Sequence, residues 1–305
     1  MSENINHKQI HWFPGHMMKT LRVMEQSVRG VDVVLELLDA RIPHSSLNPE
    51  VERIARVRPR LYVLNKSDLA DPEITRCWVD YYRRGGNGCV AISSKQRAGI
   101  GDVKKAIDRE LADLLARRTE KGTLGAAIRI MVTGIPNVGK STFINSFAGA
   151  ARAQTADRPG VTRGKQWVRA GGYDLLDMPG VLWKKFENQT VASNLAFIGS
   201  IRDDILDVEA LACNLLAQLQ QTAALRLMER YKLDGDDLAQ EPYELLETIG
   251  RRRGMLMSGG VVNTERAAVT VVDEFRDSKL GRISLEQPPR EELPAGADGE
   301  AEAVQ

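Results

Sequence analysis

Residues 128–148 read IRIMVTGIPNVGKSTFINSFA, and this stretch decides the fold of the 305-residue chain. The apolar run 128–133 predicts a buried strand, and the glycine-rich turn after it predicts the start of a helix at Lys140. The turn also matches the pattern G-x-x-x-x-G-K-[ST], in which backbone N–H groups and the positive end of the helix surround a phosphate. The residues expected at this phosphate loop are Pro136, Asn137, Val138, Gly139, Lys140, Ser141 and Thr142.

Strands and helices alternate on both sides of the phosphate loop. This alternation predicts parallel strands joined by crossover helices, and hence an α/β sheet, over residues 21–190. Strands are predicted at 31–38, 61–64, 89–92, 128–133, 167–170 and 173–176, the last two joined by the hairpin dipeptide Gly171-Gly172, and the clearest helix spans 103–118.

The pattern changes beyond the sheet. Residues 191–285 predict a small all-α domain, with helices at 207–231, 243–250 and 264–275. The first 20 residues predict a non-periodic arm, and residues 286–305, rich in Pro, Gly, Ala and acids, predict a disordered tail.

Composition excludes several classes of protein. Hydrophobic residues make up 43% and charged residues 27%, as in ordinary globular proteins, so a fibrous or wholly disordered chain does not fit. Apolar runs do not exceed four residues, which predicts no membrane span. The N-terminus resembles neither a secretory signal nor a transit peptide, so a cytoplasmic location is expected. The three cysteines share no metal-ligand spacing and are interpreted as reduced thiols.

The net charge of +1 taken whole argues against a nucleic-acid partner. However, residues 286–305 contain six acidic residues and one basic residue, which leaves +6 on the other 285 residues. The average therefore does not exclude RNA.

A second motif narrows the nucleotide to a guanine nucleotide. Asp68 follows a predicted strand, and its carboxylate can accept both donors on the N1 and N2 edge of guanine, a donor pair that adenine lacks. Asn65 either reaches the acceptor edge of the base or braces the phosphate loop, while Lys66 lies along the ring face. The guanine-reading residues predicted at two strand ends are Asn65, Lys66, Ser67 and Asp68, then Ser93, Ser94 and Lys95.

Further residues predict a magnesium-dependent switch. Lys140 would reach the terminal phosphates and the Ser141 hydroxyl would ligate Mg²⁺. Asp177 ends a predicted strand and would hold the ion through water, while the Gly180 N–H would contact the γ-phosphate. Thr162 is the candidate mobile threonine that ligates Mg²⁺ only with a triphosphate; a plain loop threonine is the alternative.

The order of these motifs is unusual. In Ras-like GTPases the phosphate loop comes first and the guanine-reading motifs last, whereas here residues 65–68 and 93–95 precede residues 134–141. The fold predicted is therefore a P-loop GTPase (Ras-like) sheet with circularly permuted motif order. The helical domain follows directly on the segment after Gly180, which senses the γ-phosphate.

This order, with WFPGHM at residues 12–17 and LDARIP at 38–43, resembles the circularly permuted GTPases of the YlqF type, the ribosome biogenesis GTPase A family. The resemblance covers about residues 8–285. It implies GTP hydrolysis to GDP, slow alone and stimulated by the ribosomal subunit, in late assembly of the large (50S) subunit. The helical domain would touch ribosomal RNA, GTP would control docking and release, and DNA is not an expected partner.

The sequence leaves two interpretations of the residue that would orient the attacking water. Ras-like enzymes place a glutamine after the glycine of the switch motif, but here Val181 stands there, and valine cannot polarise water. The family suggests that His16 is swung in to orient water; His16 as an RNA contact or a packing residue is the alternative.

Other residues keep two interpretations. The side-chain carbonyl of Asn137 either coordinates K⁺, as in similar GTPases, or simply favours a turn. A basic set either neutralises RNA phosphates or forms solvated helix ends, and the arm's large side chains either stack on RNA or pack on the sheet. The basic set consists of Arg251, Arg252, Arg253, Lys279 and Arg282. The large side chains of the arm are Trp12, Phe13, Met17 and Met18.

Two other functions compete with the assembly factor. One is a nucleotide-gated RNA-binding scaffold in which hydrolysis is incidental. The other is a GTPase acting on a non-ribosomal partner, with the helical domain as a protein-docking module.

Overall fold

A computed structural model describes residues 14–121, 126–149, 166–186 and 188–289. Its centre is a six-stranded sheet of order β3-β2-β1-β4-β6-β5, in which β5 alone runs antiparallel to its neighbour. The strands are β1 (Val33–Asp39), β2 (Arg60–Asn65), β3 (Gly88–Ala91), β4 (Ile128–Gly134), β5 (Gln166–Ala170) and β6 (Tyr173–Asp177). The predicted α/β sheet is confirmed.

The central strand β1 is buried along its whole length. Helices cover both faces of a parallel sheet, which is why β1 reads as a nearly continuous apolar run rather than an alternation. Asp39 at its end is in register with Asn65 at the end of β2. On the other side of the sheet, Val132 of β4 is in register with Asp177. The parallel register therefore collects the polar strand ends along one edge.

Two helices beside the sheet begin at an Asx cap followed by proline. Asn48 accepts hydrogen bonds from the N–H groups of Glu50 and Val51, and Asp71 caps the next helix in the same way. The helices of this region are α1 (Gly15–Ser27), α2 (Pro49–Ala55), α3 (Pro72–Arg84), α4 (Ile100–Glu110), α5 (Ala112–Glu120) and α6 (Lys140–Ala148).

Helix α1 begins earlier than the predicted arm allows. Pro14 is extended and the helix starts at Gly15, so residues 15–20 are helical rather than non-periodic. Met17, Leu21 and Met24 are buried on one face, at a helical spacing that the polar neighbours obscure in the sequence.

Helices alone follow β6 in the part of the chain that the structure describes, as predicted. Leu215 and the β1 residue Leu35 belong to one continuous apolar core, so these helices pack against the sheet side of the molecule. The helices are α7 (Gln189–Phe197), α8 (Val208–Thr222), α9 (Ala224–Tyr231), α10 (Gly235–Leu238), α11 (Pro242–Arg252) and α12 (Thr264–Arg276).

Two predicted helices are each divided in two. The predicted helix 103–118 breaks at Leu111, and the predicted helix 207–231 breaks at Ala223, whose backbone leaves the helical region at φ −145°. The halves differ in burial: α4, α8 and α9 bury apolar residues, whereas α5 contacts the core only through partly buried leucines.

The chain returns to the sheet after α12 as a segment that we name the C-terminal strap, residues 282–286. The Leu285 N–H donates to the Arg41 carbonyl at 2.8 Å, and the Trp78 indole N–H donates to the Glu286 carbonyl at 3.1 Å. The prediction of a disordered tail from residue 286 is therefore wrong at Glu286, because that residue is fixed by contacts with distant segments. None of the described helices is long and apolar enough to cross a bilayer.

Candidate nucleotide site

The sequence motifs meet at the edge where the parallel strands end. Residues 65–68 follow β2, residues 93–95 follow β3, and the phosphate loop follows β4. Asp177 is the last residue of β6. Open α/β sheets bind their ligands at the carboxyl ends of their strands, so the fold brings the predicted motifs to one binding edge.

The phosphate loop has the shape of a close-fitting cradle. Gly139 has φ +95° and precedes α6, and a Cβ there would lie 2.6 Å from the Asn65 amide nitrogen. Gly180 approaches from the other side, where a Cβ would lie 2.7 Å from the Pro136 Cα. A side chain at Gly139 would collide with the Asn65 amide and one at Gly180 with the Pro136 backbone, so both positions require glycine.

Lys140 folds back onto its own loop. Its Nζ donates to the Ile135 carbonyl at 2.7 Å and to the Gly134 carbonyl at 3.2 Å. Burial lowers the pKa of Lys140 to about 8, against the opposing effect of the Asp177 charge. The ammonium is thus held where the strand enters the loop.

Asn65 joins three motifs. Its Nδ2 donates to the Val138 carbonyl at 2.8 Å, and its Oδ1 accepts from the Ser94 N–H at 3.1 Å. The Ser146 hydroxyl, in the second turn of α6, donates to the Ser94 carbonyl at 2.5 Å. Of the two roles open from the sequence, these contacts are those of a brace for the phosphate loop.

A buried charged cluster lies beside Lys66 and had no assigned role in the sequence. Asp39 is fully buried; it receives two side-chain N–H bonds from Arg41, both at 2.9 Å, and the Lys66 ammonium at 3.1 Å. Burial alone would raise the pKa of Asp39, but the charges of Arg41 and Lys66 hold it well below its usual range. Asp39 therefore fixes the direction of the Lys66 side chain.

The remaining predicted contacts lie around the same edge. The Ser67 N–H donates to the Ile92 carbonyl at 3.0 Å, which joins the loop after β2 to the end of β3. Asp68 and Ser141 are half-buried, Ser93 is buried, and Lys95 and Thr142 are exposed. Thr162 lies outside the described residues.

The segment that follows Gly180, which begins with Val181 and Leu182 and which we name the switch segment, is built into the core. Val181 is fully buried, and its N–H donates to the Gly134 carbonyl at 3.3 Å. Asn48 donates to the Val181 carbonyl at 3.0 Å. The side chain that replaces the glutamine of Ras-like enzymes thus packs inward, so a water-orienting group must come from elsewhere.

Helix α1 lies on this segment. Met17 is buried, and its sulfur accepts from the Leu182 N–H at 3.4 Å, which assigns Met17 to packing rather than RNA stacking. Met18 is exposed. His16 is exposed in the first helical turn, one residue from the contact with the switch segment. Trp12 and Phe13 lie outside the described residues.

Asn137 connects the phosphate loop to the helices. It has φ +58°, and its Nδ2 donates to the Gly199 carbonyl at 2.6 Å. The Ser200 hydroxyl donates to the Pro136 carbonyl at 2.8 Å. Because the amide nitrogen is engaged, the side-chain carbonyl of Asn137 is the group left for a cation.

The residues present fit a magnesium ion that also binds phosphate. Ser141, which carries the hydroxyl, lies in the first turn of α6, and Asp177, which carries the carboxylate, is buried at the end of β6. In the described part of the chain, no three His, Cys, Asp or Glu side chains form a metal cluster. One hydroxyl and one carboxylate are a donor set typical of Mg²⁺, because that ion keeps waters and nucleotide oxygens as its other ligands.

Most of the predicted RNA-contacting basic residues are engaged within the protein. Arg252 pairs with Asp237, and Arg253 donates to Glu274 at 2.8 Å. Lys279 lies 3.3 Å from Asp277, and Arg282 donates to backbone carbonyls. Over the residues described, only the Arg251 side chain of the five is exposed without a protein partner.

Comparison with known proteins gives similarity over nearly the whole chain. A family model described as 50S ribosome-binding GTPase matches residues 129–234, beginning after residues 65–68 as the permuted order requires. The chain is 42% identical over 287 residues to ribosome biogenesis GTPase A of Priestia megaterium, covering 93% of this chain and 99% of the relative. It is 40% identical over 280 residues to the protein of that name from Bacillus cereus, covering 92% and 94%. The fold is similar to the GDP-bound structure of TM YlqF, with TM-score 0.64 and 24% identity, covering 88% of this chain and 99% of that one.

Proposed function

The chain belongs to the ribosome biogenesis GTPase A family, and from that premise we propose that it is an assembly factor of the large ribosomal subunit, docking with GTP and leaving after hydrolysis. It is a GTPase of ribosome biogenesis with a circularly permuted P-loop fold. The contact of Asn137 with the Gly199 carbonyl carries the proposal of GTP-controlled docking. It links the loop that holds the phosphates to the helices that follow the switch.

Guanine recognition is assigned to the loop after β2. Asp68 accepts from N1 and N2 of the base, and Lys66 lies on the ring face in the direction that Asp39 sets. Asn65 holds this loop against the phosphate loop, so base and phosphates are recognised by one connected unit. Ser67, Ser93, Ser94 and Lys95 complete the base side of the site.

Phosphate binding is assigned to residues 136–142 and to Gly180. On nucleotide binding, the Lys140 ammonium leaves the carbonyls of its own loop and contacts the terminal phosphates. Their negative charge then compensates for the burial of the ammonium. Ser141 and Thr162 would ligate Mg²⁺ and Asp177 would hold it through water; the bound ion would supply positive charge to the phosphates. The Gly180 N–H reports whether the γ-phosphate is present.

Hydrolysis is assigned to His16. Helix α1 packs on the switch segment through Met17 and Leu182, and His16 precedes Met17 in the first turn of that helix, so its imidazole lies next to the segment that follows Gly180. The Asn137 carbonyl would hold K⁺ next to the loop. Replacing K⁺ by Na⁺ then slows hydrolysis, and equal rates would remove that role.

Ribosomal RNA is the proposed contact of the helical domain, residues 191–285. Among the described residues of the predicted basic set, Arg251 is the one whose exposed side chain has no protein partner, and Trp12 and Phe13 of the arm are a second proposed RNA contact. The protein then acts in the cytoplasm, where bacterial ribosomes are assembled.

The test measures the rate of GTP hydrolysis with and without purified large ribosomal subunits, and the co-sedimentation of the protein with those subunits. We expect slow hydrolysis alone, stimulation by the subunit, and co-sedimentation with a non-hydrolysable GTP analogue but not with GDP. The proposal would be overturned if the large subunit failed to stimulate hydrolysis and the protein also failed to co-sediment with it. A His16→Ala protein that hydrolyses normally but fails to support assembly would favour the scaffold, and the absence of any ribosomal RNA crosslink would favour a non-ribosomal partner.

A further inference from the structure

The C-terminal strap lies along the loop that follows the guanine-reading motif. Arg282 donates through Nη2 to the Ser67 carbonyl and through Nε to the Ala70 carbonyl, both at 2.8 Å. The next residue, Ile283, donates its N–H to the Leu69 carbonyl at 3.2 Å. Three carbonyls of one short loop are therefore bound by two consecutive residues more than 200 positions away in sequence.

The strap is itself firmly held on the helical side. Ile283 and Leu285 are buried in the apolar core, and the Gln218 amide of α8 donates to the Leu285 carbonyl at 3.0 Å. The Glu286 carboxylate accepts from the His44 N–H at 2.8 Å and from the Asn194 amide of α7 at 3.0 Å. The strap thus presents Arg282 from a fixed backbone, supported by both α7 and α8.

Asp68 lies between the two carbonyls that Arg282 binds. The guanidinium is planar, and its Nε and Nη2 donors point along one edge, so it can hold two carbonyls at a set separation, which an ammonium cannot do. Within the loop itself, the Leu69 N–H donates to the Lys66 carbonyl at 2.9 Å. Both backbone neighbours of Asp68 therefore belong to residues fixed by hydrogen bonds.

We propose that Arg282 is a positioning residue for guanine recognition, holding the loop so that the Asp68 carboxylate faces the N1 and N2 edge of the base. This inference rests on the proposed base-reading role of Asp68. It also makes the helical domain a determinant of nucleotide specificity, because the strap that carries Arg282 continues from α12 and packs on α7 and α8.

The experiment compares the binding of GDP and IDP by calorimetry, since inosine lacks the 2-amino group that Asp68 would read. The full-length protein is expected to prefer GDP about tenfold, the value of one hydrogen bond to a charged group. In Arg282→Met we expect the preference to fall to about twofold, because GDP loses two hydrogen bonds to Asp68, whereas IDP keeps only the N1 donor, loses one bond and weakens less. Arg282→Lys keeps the charge but not the paired donors and should resemble Arg282→Met.

The matched control is Lys279→Met, a basic residue three positions earlier that pairs with Asp277 and does not touch the loop. It should keep the full GDP preference. A preference retained in Arg282→Met, or an equal loss of GDP and IDP affinity, would overturn the inference, because a merely structural role weakens both ligands alike. A wild-type protein that binds GDP and IDP equally would instead remove the base-reading role of Asp68, and the inference with it. Asp68→Asn, expected to favour xanthosine diphosphate, tests that role separately.

Discussion

Single polar side chains hold the binding edge together because parallel strands leave many backbone groups there without ladder partners. Asn65 satisfies a phosphate-loop carbonyl and the Ser94 N–H with one amide. Asp39 similarly orients Lys66 and Arg41 from a fully buried position. The amide and the carboxylate are in register at the ends of adjacent strands, so a change in either reaches the nucleotide site directly.

Asn65→Ala should weaken nucleotide binding by about tenfold or more, since it leaves the Val138 carbonyl and the Ser94 N–H unpaired at about 1–3 kcal/mol each. Calorimetric titration with GDP measures this. Asn145→Ala, an exposed α6 residue, is the control and should bind normally. Equal affinities in the two variants would contradict the brace.

Glu36 gives the sheet a pH dependence that can be measured apart from binding. Burial raises its pKa to about 7, although Arg60 and the Asn48 N–H oppose this. The unfolded carboxyl ionises near 4.5, so between that pH and about 7 the unfolded chain releases a proton that the folded chain keeps. Stability from this group is therefore full below pH 4.5 and is lost as the pH rises to 7.

Glu36→Gln should consequently be more stable than the wild type at pH 8, by about 1–3 kcal/mol, and nearly equal to it at pH 4.5. Urea unfolding at both values gives the difference. Glu52→Gln changes an exposed carboxylate that pairs with the same Arg60 and should show no such pH-dependent gain. A constant difference for Glu36→Gln across the range would show that folding does not raise the pKa of Glu36.

At the scale of elements, the strands could be predicted and the helix breaks could not. A strand buried on both faces is an apolar run that ends at its polar motif, as 61–64 followed by Asn65 shows. The two helix breaks lie at Leu111 and Ala223, and neither position is a glycine or a proline. The breaks therefore arise from packing rather than from local preference. The contacts of Glu286 join residues some 240 positions apart, which no local pattern indicates.

Helix α1 tests how an element is held on the switch segment. Met17 is 1% exposed and contacts Leu182, whereas its neighbour Met18 is 41% exposed. Met17→Ala should lower the free energy of unfolding by about 2–4 kcal/mol because it leaves a cavity under the helix. Met18→Ala should change it by less than about 0.5 kcal/mol. Similar losses in both, by urea denaturation, would mean that α1 does not pack as described.

At the scale of the whole molecule, the end of α12 connects both ends of the nucleotide site. The Arg276 carbonyl accepts from Arg41, which holds Asp39 and through it Lys66. The Arg276 side chain donates to the Ala196 and Phe197 carbonyls at the end of α7, two residues before the Gly199 carbonyl that Asn137 contacts. The base side and the phosphate side therefore converge on one helix end.

Arg276→Met should uncouple the helices from the phosphate loop. It removes the donors to α7 and the ion pair with Asp203, while the backbone contact with Arg41 remains. The wild type should show a difference in amide exchange of α8 between GDP and a GTP analogue, and we expect that difference to shrink severalfold in the variant. Arg266→Met, an exposed residue of the same helix, should keep it. Because α8 supports the strap as well, a difference that survives in Arg276→Met would place the signal route through residues 282–286 instead of the end of α7.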